Sequence, residues 1–177
     1  MKLQSQEVRE LPSTPLFAGV EKEDWPELLG RSVRLDLKVG DSVFRQGEEA
    51  DAFFVVIAGS VEVRTKMKVT NTEKSLAHLG AGAVLGETSL FVRGPHSASV
   101  RAAEPSTLLS FQTESFMDMI RTGHRGAIQV LYNIGNTLAV RLRSADEQLT
   151  GAAYAAPSGV IGNTEKSRKI IPADRGA

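Results

Sequence analysis

Side chains able to act as acids, bases, nucleophiles or metal ligands are few and widely spaced in this sequence. The chain has no cysteine, which excludes disulfides, thiolate metal sites and cysteine nucleophiles. Its three histidines, His78, His96 and His124, are isolated from one another and form no His-x-His pair. The sequence also lacks a Gly-x-Ser-x-Gly elbow, a P-loop and the order of a Ser-His-Asp triad. It therefore predicts a protein that is not an enzyme and that holds no metal and no cofactor.

The composition is that of one ordinary globular domain. The 177 residues include 21 basic and 21 acidic side chains, so the net charge is zero. A general nucleic-acid binder usually has a basic excess, and this balance argues against that class. No apolar run is long enough to span a membrane, and the N-terminus lacks the apolar core of a secretory signal. We therefore expect a cytoplasmic protein without a membrane partner.

The elements that position any site are first indicated by a two-residue hydrophobic period. Apolar and polar residues alternate from Val33 to Val39, as expected of a half-buried strand. The continuous apolar run at residues 52–58 is typical of a strand buried on both faces. Many short strands separated by glycine turns predict a β-sandwich or jelly roll over about residues 33–111. The further predicted strands are 42–45, 61–64, 76–79, 98–102 and 107–111.

Helices are predicted on both sides of the strands. A short amphipathic helical piece covers residues 16–29, and a second helix runs over 114–121 with Thr113 as its N-cap. A long helical stretch without proline follows at residues 125–149. The predicted organisation is an N-terminal lead at 1–15, one domain at 16–149 that includes the long helix, and a flexible or docking tail at 150–177.

The long helix contains a heptad seam. Seven residues alternate at spacings of three and four, which is the pattern of a two-helix interface. Val130, Ile134 and Thr137 lie beside this seam and are expected to pack on the β-domain. The seam therefore predicts a homodimer, and the alternative is one wide apolar face packed only on its own domain. The seam residues are Ile128, Leu131, Gly135, Leu138, Leu142, Ala145 and Leu149.

Several glycine motifs follow one another in a specific order and spacing. The chain contains Leu16-Phe17-x-Gly19, Gly40-Asp41, Gln46-Gly47-Glu48, Gly59-Ser60, Leu79-Gly80-x-Gly82 and Leu85-Gly86-Glu87-Thr88-Ser89-Leu90. Over about residues 16–149 this series resembles the cyclic-nucleotide-binding domain family. That family includes the catabolite activator protein, the regulatory subunit of cAMP-dependent protein kinase and cyclic-nucleotide-gated channels.

The resemblance implies a fold and a site. The fold is a mainly β jelly roll, a double-stranded β-helix, with flanking helices and a long C-terminal helix. The site is a phosphate-binding cassette, in which a short helical turn presents backbone N–H groups to a phosphate. Gly86 lets the backbone approach the ligand, Glu87 matches the family glutamate that binds the ribose 2′-OH, and small Ser89 leaves room for the sugar. With Thr88, these residues are expected to bind cAMP or cGMP.

The cassette departs from the family pattern at one position. The family has an arginine, usually followed by a small residue, that clamps the cyclic phosphate. In this chain His96 occupies the arginine position and Ser97 the small position. Histidine supplies neither the planar fork nor the permanent charge of arginine. Loss of a charge-assisted contact costs about 1.5–3 kcal/mol, so nucleotide binding is expected to be weakened or lost.

The base end of the family site is also altered. Members similar to the activator contact the purine with hydroxyl residues near the end of the long helix, where this chain has Ser144-Ala145-Asp146. Asp146 is a candidate base contact because a carboxylate accepts hydrogen bonds from a purine amino group. The alternative is a solvated acid near a helix end.

Two functions remain open on the sequence. The first is a regulatory module that acts through homodimerisation and an unknown protein partner, with weak or no nucleotide binding. The second is a functional sensor of cAMP, cGMP or a related ligand. A DNA-reading domain is not expected, because the 28 residues after Leu149 contain two prolines and several glycines.

Overall fold

Two four-stranded antiparallel sheets form the β-domain in a computed structural model of the protein. The structure describes residues 11, 14–67 and 72–154, and it describes side chains as far as residue 147. Sheet A has the order β1-β8-β3-β6 and sheet B the order β2-β7-β4-β5, which confirms the predicted jelly roll. The strands are β1 (Ser32–Leu37), β2 (Ser42–Phe44), β3 (Ala52–Ala58), β4 (Ser60–Lys66), β5 (Glu73–Gly80), β6 (Val84–Leu85), β7 (Ser99–Ala102) and β8 (Ser106–Gln112).

Strand β3 is buried on both faces, as its apolar run predicts. Phe54 and Val56 point into the space between the sheets, while Phe53 and Val55 belong to a second core on the other face of sheet A. Because successive side chains of a strand alternate between faces, one apolar run contributes to both cores. Between the sheets, these residues meet Phe44, Val61, Leu85, Val100 and Leu108.

Three helices and a short 3-10 helix surround the second core. The 3-10 helix is Pro15–Phe17, and the helices are α1 (Trp25–Gly30), α2 (Thr113–Arg121) and α3 (Arg125–Tyr154). Their apolar residues pack with Phe53, Val55 and Phe111 of sheet A. None of the helices in the described part of the chain is long and apolar enough to cross a membrane.

Helix α3 is fixed to the β-domain by one of its faces. Val130 and Ile134 are each 1% exposed in the second core, which confirms their predicted packing on the β-domain. Leu131 and Leu138, two residues of the predicted seam, are partly buried against the same core. Part of the predicted seam therefore packs on the protein's own domain.

A polar clamp joins α3 to the N-terminal turn. The Asn133 side-chain amide donates to the carbonyl oxygens of Leu16 and Ala18 at 2.8 and 2.9 Å. Gln129 donates to the Asn133 side-chain oxygen at 3.1 Å. Leu11, which falls within the predicted N-terminal lead, is 1% exposed and belongs to the second core, to which α3 also contributes. The start of the described chain is thus packed against α3.

Some local predictions differ from the structure. The helical piece predicted over 16–29 consists of the 3-10 helix and α1, because Pro26 favours a helix start at Trp25. Thr113 is the first residue of α2 and not its cap, which is Gln112. Of the predicted tail at 150–177, residues 155–177 lie outside the described residues. The described residues fall into two units, which are divided after Val140.

The inter-sheet core predicts a large difference between two leucines on strands. Leu108 on β8 is 0% exposed, whereas Leu76 on β5 is 55% exposed. We expect Leu108→Ala to lower the free energy of unfolding by about 2–5 kcal/mol, because it leaves a cavity. Leu76→Ala is the matched control and should change it by about 0.5 kcal/mol or less. Urea unfolding followed by circular dichroism measures both, and equal losses would contradict the assignment of the core.

Candidate functional site

The turn that begins the predicted cassette requires glycine. Gly86 has φ +69° and ψ 9°, in the left-handed region, and it precedes a 3-10 helix at Glu87–Leu90. A Cβ atom at Gly86 would lie 2.9 Å from the Ala52 carbonyl oxygen and 3.3 Å from Cε1 of His96. Both the backbone angle and the space therefore exclude a side chain. This turn brings Gly86 and His96, two of the predicted site residues, into contact.

The backbone of His96 is held by the loop between β2 and β3. The His96 amide donates to the Glu48 carbonyl at 2.8 Å, and the Gly47 amide donates to the His96 carbonyl at 2.9 Å. Glu49 and Pro95 form an antiparallel bridge next to these bonds. The two loops are thus paired like short strands, which fixes the direction of the side chain at position 96.

The imidazole of His96 stacks on an aromatic ring. Its centroid lies 3.7 Å from that of Phe44, with 9° between the ring planes, and His96 is only 8% exposed. Burial lowers the pKa of His96 below its ordinary value, although Glu48 and Asp51 act in the opposite direction. His96 is therefore a neutral, packed side chain at pH 7.

The other cassette residues divide by exposure. Glu87 is buried, with 9% of its surface exposed, and it directly follows Gly86. Thr88 and Ser97 are exposed. The structure thus buries Glu87 and His96 and places His96 beside Gly86, while Thr88 and Ser97 lie at the surface.

Ser89 takes part in a different contact. Its hydroxyl lies 2.9 Å from the Thr113 hydroxyl at the start of α2, and Ser89 is 7% exposed. It also lines a cleft of about 250 Å³ with Asp51, Arg93 and Thr113, among other residues. Gly86, Glu87 and His96 do not line that cleft. Ser89 therefore links the cassette helix to α2.

Phe44 is the aromatic contact of His96 that sequence reasoning missed. It lies on β2, and β2 pairs antiparallel with β7, so that Phe44 faces Val100. This pairing places residues 44 and 96 side by side, although 51 residues separate them in the chain. The sequence shows only that Phe44 is an aromatic residue on a predicted strand. The strand order is needed to show that Phe44 contacts His96.

The long-helix residues divide between the two units. Ile128 is 45% exposed and Leu142 is 65% exposed, in contrast to the partly buried Leu131 and Leu138. Side chains at residues 141–147, including Ala145 and Asp146, are exposed, and that of Leu149 lies outside the described part. Neither the homodimer seam nor a contact between Asp146 and a base is tested by these positions, so both stay predictions.

The other two histidines, His78 and His124, lie outside the cassette. His124 lies at the junction of α2 and α3, where its Nδ1 accepts a hydrogen bond from the Ala127 amide at 3.1 Å. Its Nε2 is 3.7 Å from a carboxylate oxygen of Glu27. His78 is exposed on β5. Among the described residues, no group of three or more histidines and carboxylates is arranged to hold a metal ion.

Comparison with known proteins agrees with this geometry. The family model described as "Cyclic nucleotide-binding domain" matches residues 34–122, which include all eight strands except the start of β1. Among solved structures, the catabolite activator protein of Thermus thermophilus superposes with a TM-score of 0.70 at 33% identity. That superposition covers 80% of this chain and 64% of the other.

Two curated relatives of the chain are longer than the chain itself. The cyclic AMP receptor protein of Thermus thermophilus is 33% identical over 139 residues, which are 78% of this chain and 62% of that protein. The regulatory subunit of cAMP-dependent protein kinase from Yarrowia lipolytica is 28% identical, over 61% of this chain and 27% of its own length. The chain thus spans less than two thirds of each of these relatives.

The packing of His96 predicts how stability depends on pH. Because its pKa is lowered in the folded state, the unfolded chain takes up the proton first as the pH falls. The contribution of His96 to the free energy of unfolding is therefore complete above about pH 6.5. As the pH falls below this value, that contribution decreases by at most about 1.4 kcal/mol per pH unit. The variant His96→Phe is the control, because phenylalanine keeps an aromatic ring stacked on Phe44 but has no titratable group. Urea unfolding between pH 7.5 and 5 should show the wild type losing stability relative to this variant, and parallel curves would contradict the prediction.

Proposed function

The chain belongs to the cyclic nucleotide-binding domain family, and we propose that it is a regulatory module in which nucleotide binding at neutral pH is weakened. It acts through homodimerisation and through a protein partner. It performs no catalysis of its own. The observation that carries this proposal is the packing of His96 at the position where the family has its phosphate-clamping arginine.

The charge at the cassette supports weakened binding. A cyclic phosphate is an anion, and its family partner is a permanently charged guanidinium. Here burial lowers the pKa of His96, so the matching side chain is neutral at pH 7. The buried carboxylate of Glu87 adds no compensating positive charge. A phosphate would therefore replace its hydration shell with fewer favourable contacts than in members with arginine.

A functional nucleotide sensor is the second candidate. Gly86 has the backbone angle and the close approach to Ala52 that only glycine allows, as a ligand turn requires. Glu87 is buried beside it, in agreement with a role in binding a ribose hydroxyl. These features favour a site that retains the sugar-binding part of the cassette, with cAMP or cGMP as the ligand.

The exposed part of α3 supports homodimerisation. Leu142 and Ile128 are large apolar residues of the heptad seam, and both are exposed in the single chain. A second copy of the helix would bury them, which stabilises the dimer by about 1.5–3 kcal/mol for each side chain. Gly135 allows two helix backbones to approach, because no atom lies within 4 Å of the position that its Cβ would take.

Restoring the arginine tests the role of position 96. We expect His96→Arg to strengthen binding of cAMP or cGMP by about tenfold or more, because it adds a charge-assisted contact of about 1.4 kcal/mol or more. Isothermal titration calorimetry at pH 7.5 measures this change.

The double variant with Glu87→Ala is the control. It should bind cAMP and cGMP more weakly than His96→Arg alone, because the sugar contact disappears while the new charge remains. If His96→Arg binds neither nucleotide, the pocket is closed for another reason and the assignment of the site is wrong.

The dimer is tested at a residue that does not contact the domain core. Leu142→Arg places a charge on the exposed part of the seam. We expect it to convert dimers to monomers in multi-angle light scattering, since a charge in an apolar helix interface is strongly unfavourable. Leu138 is a poorer choice because it also packs on the core.

Val140→Arg provides the matched control. Val140 is 55% exposed, and two residues along a helix place it about 200° around the axis from Leu142. This variant should remain dimeric. An unchanged mass for Leu142→Arg, or an equal loss for Val140→Arg, would exclude the seam as the interface.

A further inference from the structure

The contact at the cassette has one side chain that can change its charge. Phe44, Gly86 and His96 meet there, and of these three residues only His96 can become a cation. The ring is 8% exposed, so it is packed but still reaches solvent for proton exchange. A phosphate bound at the Gly86 turn would lie near the imidazole, because Cε1 of His96 is 3.3 Å from the Cβ position of Gly86.

We propose that His96 couples anion binding at the cassette to proton uptake, so that a phosphodiester enters together with one proton. This inference rests on the proposed function, since it assigns the ligand of that site. The protonation state of His96 then determines whether the cassette accepts a phosphate. Neutral imidazole disfavours a phosphate, and imidazolium supplies the charge that the family obtains from arginine.

Opposing forces act on this proton before a ligand binds. Desolvation favours the neutral ring, and Glu48 and Asp51 favour the charged one, with desolvation the larger effect. A bound phosphate adds a further negative group close to the ring and shifts the balance toward imidazolium. The charged residues on the elements around His96 are Arg45, Glu48, Glu49 and Asp51 of the β2–β3 connection, Glu87 of the 3-10 helix, and Arg93 of its own loop.

Thermodynamic linkage gives the size of the effect. If the ligand raises the affinity of His96 for a proton, the proton raises the affinity for the ligand by the same factor. Between the pKa of the free site and that of the occupied site, ligand affinity increases up to about tenfold for each pH unit of acidification. The aromatic face of Phe44 also tolerates the charged ring, through a cation–π contact.

The test is calorimetric titration of the wild type, His96→Gln and His96→Arg with cAMP and with cGMP at pH 7.5, 6.5 and 5.5. Each titration is run in two buffers that differ in ionisation enthalpy, which counts the protons taken up. We expect wild-type affinity to rise about tenfold from pH 7.5 to 5.5, with uptake approaching one proton per ligand. His96→Gln should bind weakly with little pH dependence, and His96→Arg should bind throughout without proton uptake at this position. Circular dichroism at each pH verifies that the variants are folded.

The results separate this inference from the proposed function. If His96→Arg binds while the wild type shows no more pH dependence than His96→Gln, proton coupling is wrong and the proposed site stands. Wild-type affinity that rises in acid without proton uptake also overturns the coupling, because other groups then cause the change. If His96→Arg binds neither nucleotide at any pH, the assignment of the site fails, and this inference fails with it.

Discussion

The pairing of two loops fixes the backbone at position 96, on which the arrangement of the cassette depends. The amide and carbonyl of His96 bond to Glu48 and Gly47, and this short ladder sets the direction of the side chain at position 96. The backbone bonds do not depend on the identity of that side chain. Whichever residue occupies the position is presented beside the Gly86 turn, so a single substitution changes the charge of the site without changing the fold.

The surrounding fold supports this arrangement from two sides. Phe44 reaches His96 from β2 because β2 pairs with β7, and Phe44 is in turn packed among the inter-sheet residues. On the other side, Ser89 bonds to Thr113 and so connects the cassette helix with α2. The cassette therefore contacts two structured neighbours, the β-roll interior and the helical layer.

Much of the fold could be predicted from the sequence, because its signals are local. The alternation near Val33 and the apolar run of β3 predict strands, and the arrangement of these strands in a jelly roll follows from the resemblance. The two-residue strand β6 was missed, since it is too short to show a period. At the site, the substitution of arginine by His96 is visible in the sequence, but its stacking on Phe44 is not. That contact joins distant positions and depends on strand order, which no local pattern contains.

The central claim is that the cassette has a neutral imidazole where its family has a permanent cation. Heteronuclear NMR of the His96 ring in the unliganded protein at pH 7 tests it most directly, with His96→Gln used to assign the signals. We expect nitrogen shifts of a neutral imidazole and ring protons shifted upfield by the stacked Phe44. Nitrogen shifts of an imidazolium, or ring protons at their solvent-exposed positions, would contradict the account.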